Sequence, residues 1–324
     1  MAAETTGFSF IPSVSLEVSN DAAQTQRIVA EIGSACENAG FFYVVDHGIP
    51  DGAIDAIFAA AQAFFALPQE RRDAIDVHSS PNFRGYVPMR FKGSGVPPRM
   101  LEAFQMMLDL GPDDPDVSAG SVMHGPNAWP ADAPSFSSSA FRATMERYYD
   151  AVSLLSERLL GAFALALALG QNPDYFRPYF RKPLTQLRLL RYPPQPRDAG
   201  AQGVEAHTDP GAFTILLQDS IGGLEARNRE GEWIVVPPIP YSLVINIGDM
   251  MQRWTNGRFA STPHRVANRT GKGRLSIPFF VNPDYGVTVA PVLGGERRGE
   301  ALYEPLTCGP YIEAAYRAAW PRGD

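Results

Sequence analysis

Cysteine is almost absent from this chain: only Cys36 and Cys308 occur among 324 residues. Neither has a second cysteine nearby, so CxxC zinc and redox motifs are excluded, and a reducing cytoplasm is the expected location. Dense basic runs are absent too. The densest basic spots, Arg71-Arg72 and Arg297-Arg298, are flanked by acids, and the formal charge is -7. Nucleic acid is therefore not an expected partner. No apolar stretch approaches the roughly 20 residues that a membrane helix needs. The longest, Leu159 to Leu169, reads as a core helix. Met1 to Thr6 has neither a basic start nor an apolar segment, so no secretion signal is expected. What is present is ordinary for a globular enzyme: 45% apolar residues, 19% charged, and 29 prolines spread through apolar sequence. That composition can bury a large core, and the prolines read as ordered turns. Nothing in the sequence fixes the oligomeric state.

The chain changes texture near its middle. Phe8 to Leu16 alternates like a short strand. Asn20 is a candidate cap for a helix from about Asp21 to Ala39, with Gly40 as its stop. Phe41 to Val45 reads as a buried strand, and Asp51 opens a helix that ends near Pro68. Residues from about 78 to 99 are rich in Pro, Gly, Ser and Arg and are expected to form a loop or lid. A long amphipathic helix is predicted from about Ser138 to Leu169. After Pro183, short apolar or β-branched runs recur between turns: Leu184–Tyr192, Phe213–Gln218, Trp233–Val236, Leu243–Ile247 and Arg274–Val281. This spacing predicts an antiparallel sandwich or barrel. A last helix is expected over Pro310 to Ala319. The expected division is a mostly helical region over 1–180, a β-core over 181–290 and a helical tail over 291–324, all sharing one core.

Five histidines occur: His47, His78, His124, His207 and His264. His207-Thr208-Asp209 is an H-x-D step. On an extended segment, side chains two apart point to one side, so an imidazole and a carboxylate would face inward together. His264 follows Asp209 by 55 residues, after intervening strands and turns that can bring it back. Two His and one carboxylate on one face leave three metal positions open, which suits iron(II) oxygenases. A lone H-x-D is most often a chance match. Arg274 and Ser276 follow on a clear strand and share a face by the same rule. A guanidinium there can grip a carboxylate with two hydrogen bonds; the alternative is an internal ion pair with Asp or Glu.

These segments carry a resemblance. His207 to Gln218, Asn246-Ile247-Gly248-Asp249, Thr255 to Phe259, Ser261 to Val266 and Arg274-Leu275-Ser276 look like the metal-binding half of the isopenicillin N synthase-like family of 2-oxoglutarate dioxygenases. Gly40 to Pro50 and Arg84-Gly85-Tyr86 resemble its N-terminal half. The resemblance spans nearly the whole chain, with several motifs in the same order. It implies an α+β fold: a double-stranded β-helix, or jelly roll, with N-terminal helices packed around it. It implies Fe(II) held by His207, Asp209 and His264, with 2-oxoglutarate and O2 as co-substrates. Arg274 and Ser276 would bind the far carboxylate of 2-oxoglutarate, with Tyr192 nearby. One departure stands out: relatives in plants often carry Asn where Leu190 stands.

The implied activity is oxidation of an unactivated C–H bond in a small organic substrate, with release of succinate and CO2. No Brønsted acid–base pair is expected beside the metal site. Arg84, Tyr86, Arg90, Phe104, Met106 and Phe213 are the candidates for the substrate side of the pocket, against the simpler reading of loop anchoring and core packing. Arg84 and Arg90 hint at an anionic substrate. Asn256-Gly257 reads as a hairpin turn, Asn246 and Asp249 as turn-fixing residues, and His47 as structural. Two other readings share these residues: an oxidase that uses iron and O2 without 2-oxoglutarate, and a metal-free jelly-roll binding module. No H-E-x-x-H supports a zinc hydrolase, and no G-x-S-x-G supports a serine hydrolase.

Overall fold

The structure, a computed structural model, describes residues 7–17, 21–89, 100–194, 203–292 and 300–320. The chain opens with β1 (Ser13–Ser15), α1 (Ala22–Asn38), β2 (Phe41–Val45), α2 (Asp51–Phe65) and α3 (Gln69–Asp73). It continues through β3 (Gly85–Val87), β4 (Glu102–Met107), the one-turn α4 (Pro115–Ser118) and the long α5 (Ser138–Ala166). The second half holds β5 (Gln186–Tyr192), β6 (Val204–His207), β7 (Phe213–Gln218), β8 (Leu224–Arg227), β9 (Trp233–Val235) and β10 (Leu243–Ile247). It closes with α6 (Asp249–Trp254), β11 (His264–Val266), β12 (Arg274–Val281), β13 (Thr288–Val289), β14 (Leu306–Thr307) and α7 (Cys308–Ala319).

Helix ends follow local chemistry. The Asp21 carboxylate caps α1 by accepting from the Ala23 amide at 2.9 Å; the expected cap Asn20 lies outside the described residues. Gly40 ends α1 with φ +64°, where a Cβ would collide with the Ala260 carbonyl. Only glycine satisfies both demands. Ser137 caps α5 through the Ala140 amide at 3.3 Å.

Eight strands form one sheet in the order β1-β2-β10-β7-β12-β5-β4-β3, and four form a second in the order β6-β11-β8-β9. Only β1 and β2 pair in parallel; the other ladders of the two sheets are antiparallel. The two sheets face each other across a pocket and form the jelly roll. Period-two alternation divides the large sheet's faces. Thr214, Leu216, Ser276 and Phe280 look into the pocket, while Phe213 and Phe279 meet α5 through Phe163 at 5.3 Å and Tyr149 at 5.2 Å. Both faces are covered, so strands such as Leu243–Ile247 are buried throughout and read as continuous apolar runs. No described helix is long and apolar enough to cross a membrane.

The expected boundary near residue 180 does not mark a break in the structure. The first half supplies β1 to β4, half of the large sheet, with β2 paired to β10 and β4 to β5. One continuous core runs from Ile11 to Trp320. Glu102 on β4 locks this seam: fully buried, it binds Arg72 and Arg191, and accepts from Tyr86 Oη at 2.6 Å. Glu102→Ala would leave Arg72 as an uncompensated buried charge. We expect a loss of about 3–5 kcal/mol of stability, read from the urea midpoint; a change below about 1 kcal/mol would mean that the pairing is dispensable.

Candidate active site

Strand pairing, not sequence proximity, joins the two histidines. His207 ends β6 directly opposite His264 on β11, and their ring centroids lie 4.3 Å apart. Nδ1 of His207 lies 2.8 Å from the Glu205 carbonyl, and Nδ1 of His264 lies 3.2 Å from that of Thr262. A carbonyl only accepts, so each Nδ1 carries the proton and each Nε2 keeps a lone pair for a metal. Asp209 Oδ1 is 3.8 Å from His207 Nε2 and 3.9 Å from His264 Nε2. Donor atoms of the three residues all lie within 4.8 Å of one another, the one such group among the described residues.

Asp209 reaches this position differently from the period-two expectation. β6 ends at His207, so Asp209 stands on the loop that follows. That loop is clamped to the start of α6: the Asp209 carbonyl accepts from the Asp249 amide at 2.8 Å and the Gly211 carbonyl from Met250 at 3.0 Å. A Cβ on Gly248 would collide with the Gly211 carbonyl, so a larger residue there would push the loop away. Oδ2 of Asp209 accepts from Thr214 Oγ1 at 2.6 Å and Asn246 Nδ2 at 2.8 Å, which leaves Oδ1 for the histidine side. Burial works against the carboxylate's charge. The two histidines and these two hydrogen bonds outweigh it and hold the Asp209 pKa below the ordinary value. Burial lowers the His264 pKa, with Asp209 opposing, so its neutral, metal-binding form is favoured.

Asn246 and Asp249 thus do more than fix turns. Asn246 orients Asp209, and a buried amide in the apolar run Leu-Val-Ile-Asn-Ile is the signal that points to it. Asp249 ties the segment after His207 to the segment before His264. It accepts from Thr208 Oγ1 at 3.0 Å and from Ser261 Oγ at 2.7 Å.

A second charged feature faces the same pocket of about 760 Å³. Arg274 is 2% exposed. Its Nη1 donates to Ser276 Oγ at 3.0 Å and its Nη2 to Gln218 Oε1 at 3.3 Å, while the guanidinium lies 4.9 Å from the Tyr192 ring centroid. Its Nε is sealed and unpartnered, and no described carboxylate pairs with it. The internal ion pair is therefore not found. A buried cation without a counter-charge is costly unless a ligand supplies one. Leu190, opposite Ser276 on β5, lines this end as an apolar residue.

The donor sets fit a metal and a dicarboxylate. Two imidazoles and one carboxylate form a facial set with open positions, as non-haem iron(II) requires. Arg274 and Ser276 offer a carboxylate the charge and donors it needs.

Five of the six residues named for the substrate wall, Arg84, Tyr86, Phe104, Met106 and Phe213, lie elsewhere. Arg84 is 1% exposed and donates to the carbonyls of Asn82, Leu108 and Met123 at 2.7, 3.2 and 3.3 Å, as a loop anchor. Tyr86 is held by Glu102. Phe104 sits among Phe64, Phe141 and Trp129, with centroids 5.0, 5.2 and 5.8 Å away. Met106 is buried on β4 away from the cavity lining, and Phe213 faces α5. Arg90 lies outside the described residues, as does much of the expected lid. The physical reason is sheet order: β3 and β4 lie beyond β5, so the wall is made by β5 itself, by Met100 and Leu101, and by Ala318 and Ala319 of α7.

Comparison with known proteins agrees with this geometry. Residues 184–283 match the 2OG-Fe(II) oxygenase superfamily, and residues 11–132 match the non-haem dioxygenase in morphine synthesis N-terminal family. The chain is 35% identical over 314 residues to the 2-oxoglutarate-Fe(II) type oxidoreductase hxnY of Emericella nidulans, covering 94% of this chain and 88% of that one. It is 34% identical over 274 residues to a homoarginine-6-hydroxylase of Glycine max, covering 82% and 80% of the two chains. A full-length Neurospora crassa protein, crystallised in complex with alpha-KG, superposes with a TM-score of 0.83 at 26% identity, covering 96% of this chain and 97% of that one. The chain belongs to the isopenicillin N synthase-like branch of the 2OG-Fe(II) oxygenase superfamily, and it is an oxidoreductase, an Fe(II)- and 2-oxoglutarate-dependent dioxygenase that uses O2.

Proposed function

We propose that His207, Asp209 and His264 hold the Fe(II), and that Arg274 and Ser276 take the far carboxylate of 2-oxoglutarate with Tyr192 beneath the guanidinium. The observation that carries this reading is the uncompensated Arg274 in the same pocket as the three-donor cluster. When bound, the iron with its co-substrates supplies an oxidant able to attack an unactivated C–H bond. The chain's own part is placement and exclusion of water. Thr214 and Asn246 hold Asp209 in one orientation, and Asp249 keeps the His207 and His264 arms in register. Arg274 fixes one end of the co-substrate so that its keto acid end faces the metal. The remaining pocket takes a small organic molecule; the Neurospora crassa relative has been crystallised in complex with alpha-KG and thymine. A reducing cytoplasmic setting is part of the same proposal, in keeping with two buried free thiols, Cys36 and Cys308.

The test is an anaerobic titration of the apo-protein with Fe(II) and then 2-oxoglutarate, watching for the visible metal-to-ligand charge-transfer band of a chelated keto acid. We expect the band in the wild type and its loss in His207→Ala. Bound iron without a band would favour an oxidase that does without 2-oxoglutarate. Failure to bind iron would overturn the metal assignment.

A further inference from the structure

We propose that Gln218 is a positioning residue for the co-substrate: its neutral amide aims the Arg274 guanidinium and leaves the charge uncompensated, so that the far carboxylate of 2-oxoglutarate becomes the counter-ion. The inference rests on the assignment of Arg274 given above, and it says what keeps that cation available. Arg274 is held by three groups without net charge: the Ser276 hydroxyl at 3.0 Å, the Gln218 amide at 3.3 Å, and the Tyr192 ring with its centroid at 4.9 Å. Of these, Gln218 is not part of the pocket lining. It acts on the co-substrate only through the arginine.

Strand register places the amide. Gln218 ends β7 directly opposite Ser276 on β12. By period two it shares the face of Thr214 and Leu216, which line the pocket. Its Oε1 accepts from Arg274 Nη2, and its Nε2 lies 3.5 Å from the Val236 carbonyl. These contacts admit one orientation of the amide, because a guanidinium only donates and a carbonyl only accepts. Val236 follows β9, and its own amide donates to the Leu224 carbonyl on β8 at 2.9 Å. Gln218 thus reaches from the arginine on the large sheet to the margin of the small one, and its aim is fixed at both ends.

The next residue shows why an amide is needed there. Asp219 is an acid beside Gln218 in the chain, close enough in sequence to cancel the Arg274 charge. Strand alternation turns it from the guanidinium. Its Oδ2 accepts from the Leu275 amide at 2.6 Å and its Oδ1 from the Ile221 amide at 3.0 Å. Its own amide donates to the Leu275 carbonyl at 3.2 Å. The carboxylate is therefore taken up by backbone donors and pins β7 to β12 beside the arginine. A glutamate at 218 would match the amide in shape and would form an internal ion pair, which 2-oxoglutarate would have to displace. The amide accepts one hydrogen bond and brings no charge. The order Gln218-Asp219 sets the neutral acceptor toward the cation and the charged one away from it.

Gln218→Glu and Gln218→Met separate charge from shape. Kd values are read from the charge-transfer band of the Fe(II) enzyme, held anaerobically, with two keto acids. One is 2-oxoglutarate. The other is 2-oxopentanoate, which has the same chelating end and chain length but no far carboxylate. Wild type should bind 2-oxoglutarate about 100-fold or more tightly than 2-oxopentanoate, the effect of two charge-assisted hydrogen bonds. Gln218→Met loses the aim and keeps the charge, and should weaken 2-oxoglutarate by about five- to tenfold. Gln218→Glu should weaken it by about 100-fold, because the arginine is then already paired. Both variants should hold 2-oxopentanoate within about twofold of wild type, since that ligand makes no contact with the arginine. Its band also reports an intact metal site in each variant. A packing role for Gln218 predicts the reverse order, with Glu milder than Met, and equal losses for the two keto acids; either result overturns the proposal. Equal binding of the two keto acids by wild type would remove Arg274 from the co-substrate, and absence of the band in wild type would defeat the co-substrate assignment itself; this inference would fall with either.

Discussion

Asp209→Ala is expected to reduce succinate release by more than about 100-fold, and His207→Ala to do the same. The scale follows from comparison with outer-shell groups: removing a residue that only orients a metal ligand costs about 10–100-fold, and loss of the ligand itself must exceed that. Asp209 is the more telling of the two. Its Oδ2 is already committed to Thr214 and Asn246, so only Oδ1 faces the histidines. Alanine removes the anionic donor and leaves the Thr214 hydroxyl and Asn246 amide without their acceptor. Asn246→Ala should fall between wild type and Asp209→Ala, with a loss of about tenfold. Metal stoichiometry measured beside succinate release separates the cases: Asp209→Ala should bind Fe(II) poorly, Asn246→Ala should bind it more weakly than wild type. Near-native turnover by Asp209→Ala would remove it from the metal site.

Arg274→Met is expected to have two effects of opposite sign. The KM for 2-oxoglutarate should rise by about 100-fold or more, since two charge-assisted hydrogen bonds are lost. At saturating co-substrate, kcat should change little, because this end of the molecule does not react. The stability of the apo-protein should rise by about 1–4 kcal/mol, because a buried cation without a described counter-charge is replaced by an apolar side chain of similar length. The stabilisation that 2-oxoglutarate confers by binding should shrink in the same variant. Thermal unfolding with and without 2-oxoglutarate reads both. If the KM for 2-oxoglutarate held and only the organic substrate bound more weakly, Arg274 would belong to the substrate, as in an oxidase. If the apo-protein lost stability, Arg274 would have a structural partner that its charge pairing does not reveal.

Some of this protein is local and therefore readable along the chain. The strands Phe213–Gln218, Leu243–Ile247 and Arg274–Val281 end where their turn residues stand, because period, branching and turn chemistry act over a few residues. The Arg274 and Ser276 pair shares a face for the same reason, and the hydrogen bond between them follows. His207, Asp209 and His264 could be named as candidate ligands from the chain alone, since few residue types bind iron and the chain offers only five histidines. Their meeting was not legible. His264 reaches His207 through the register of β11 on β6, and Asp209 is aimed by a loop clamped on Gly248, Asp249 and Met250. The wall of the pocket was misplaced for a related reason. Proximity to recognisable motifs drew attention to Arg84, Tyr86 and Phe104, yet which face of which strand borders a cavity depends on sheet order. β5 lies between β12 and β4, and that long-range pairing turns Arg188 toward the pocket and leaves Phe104 in the core.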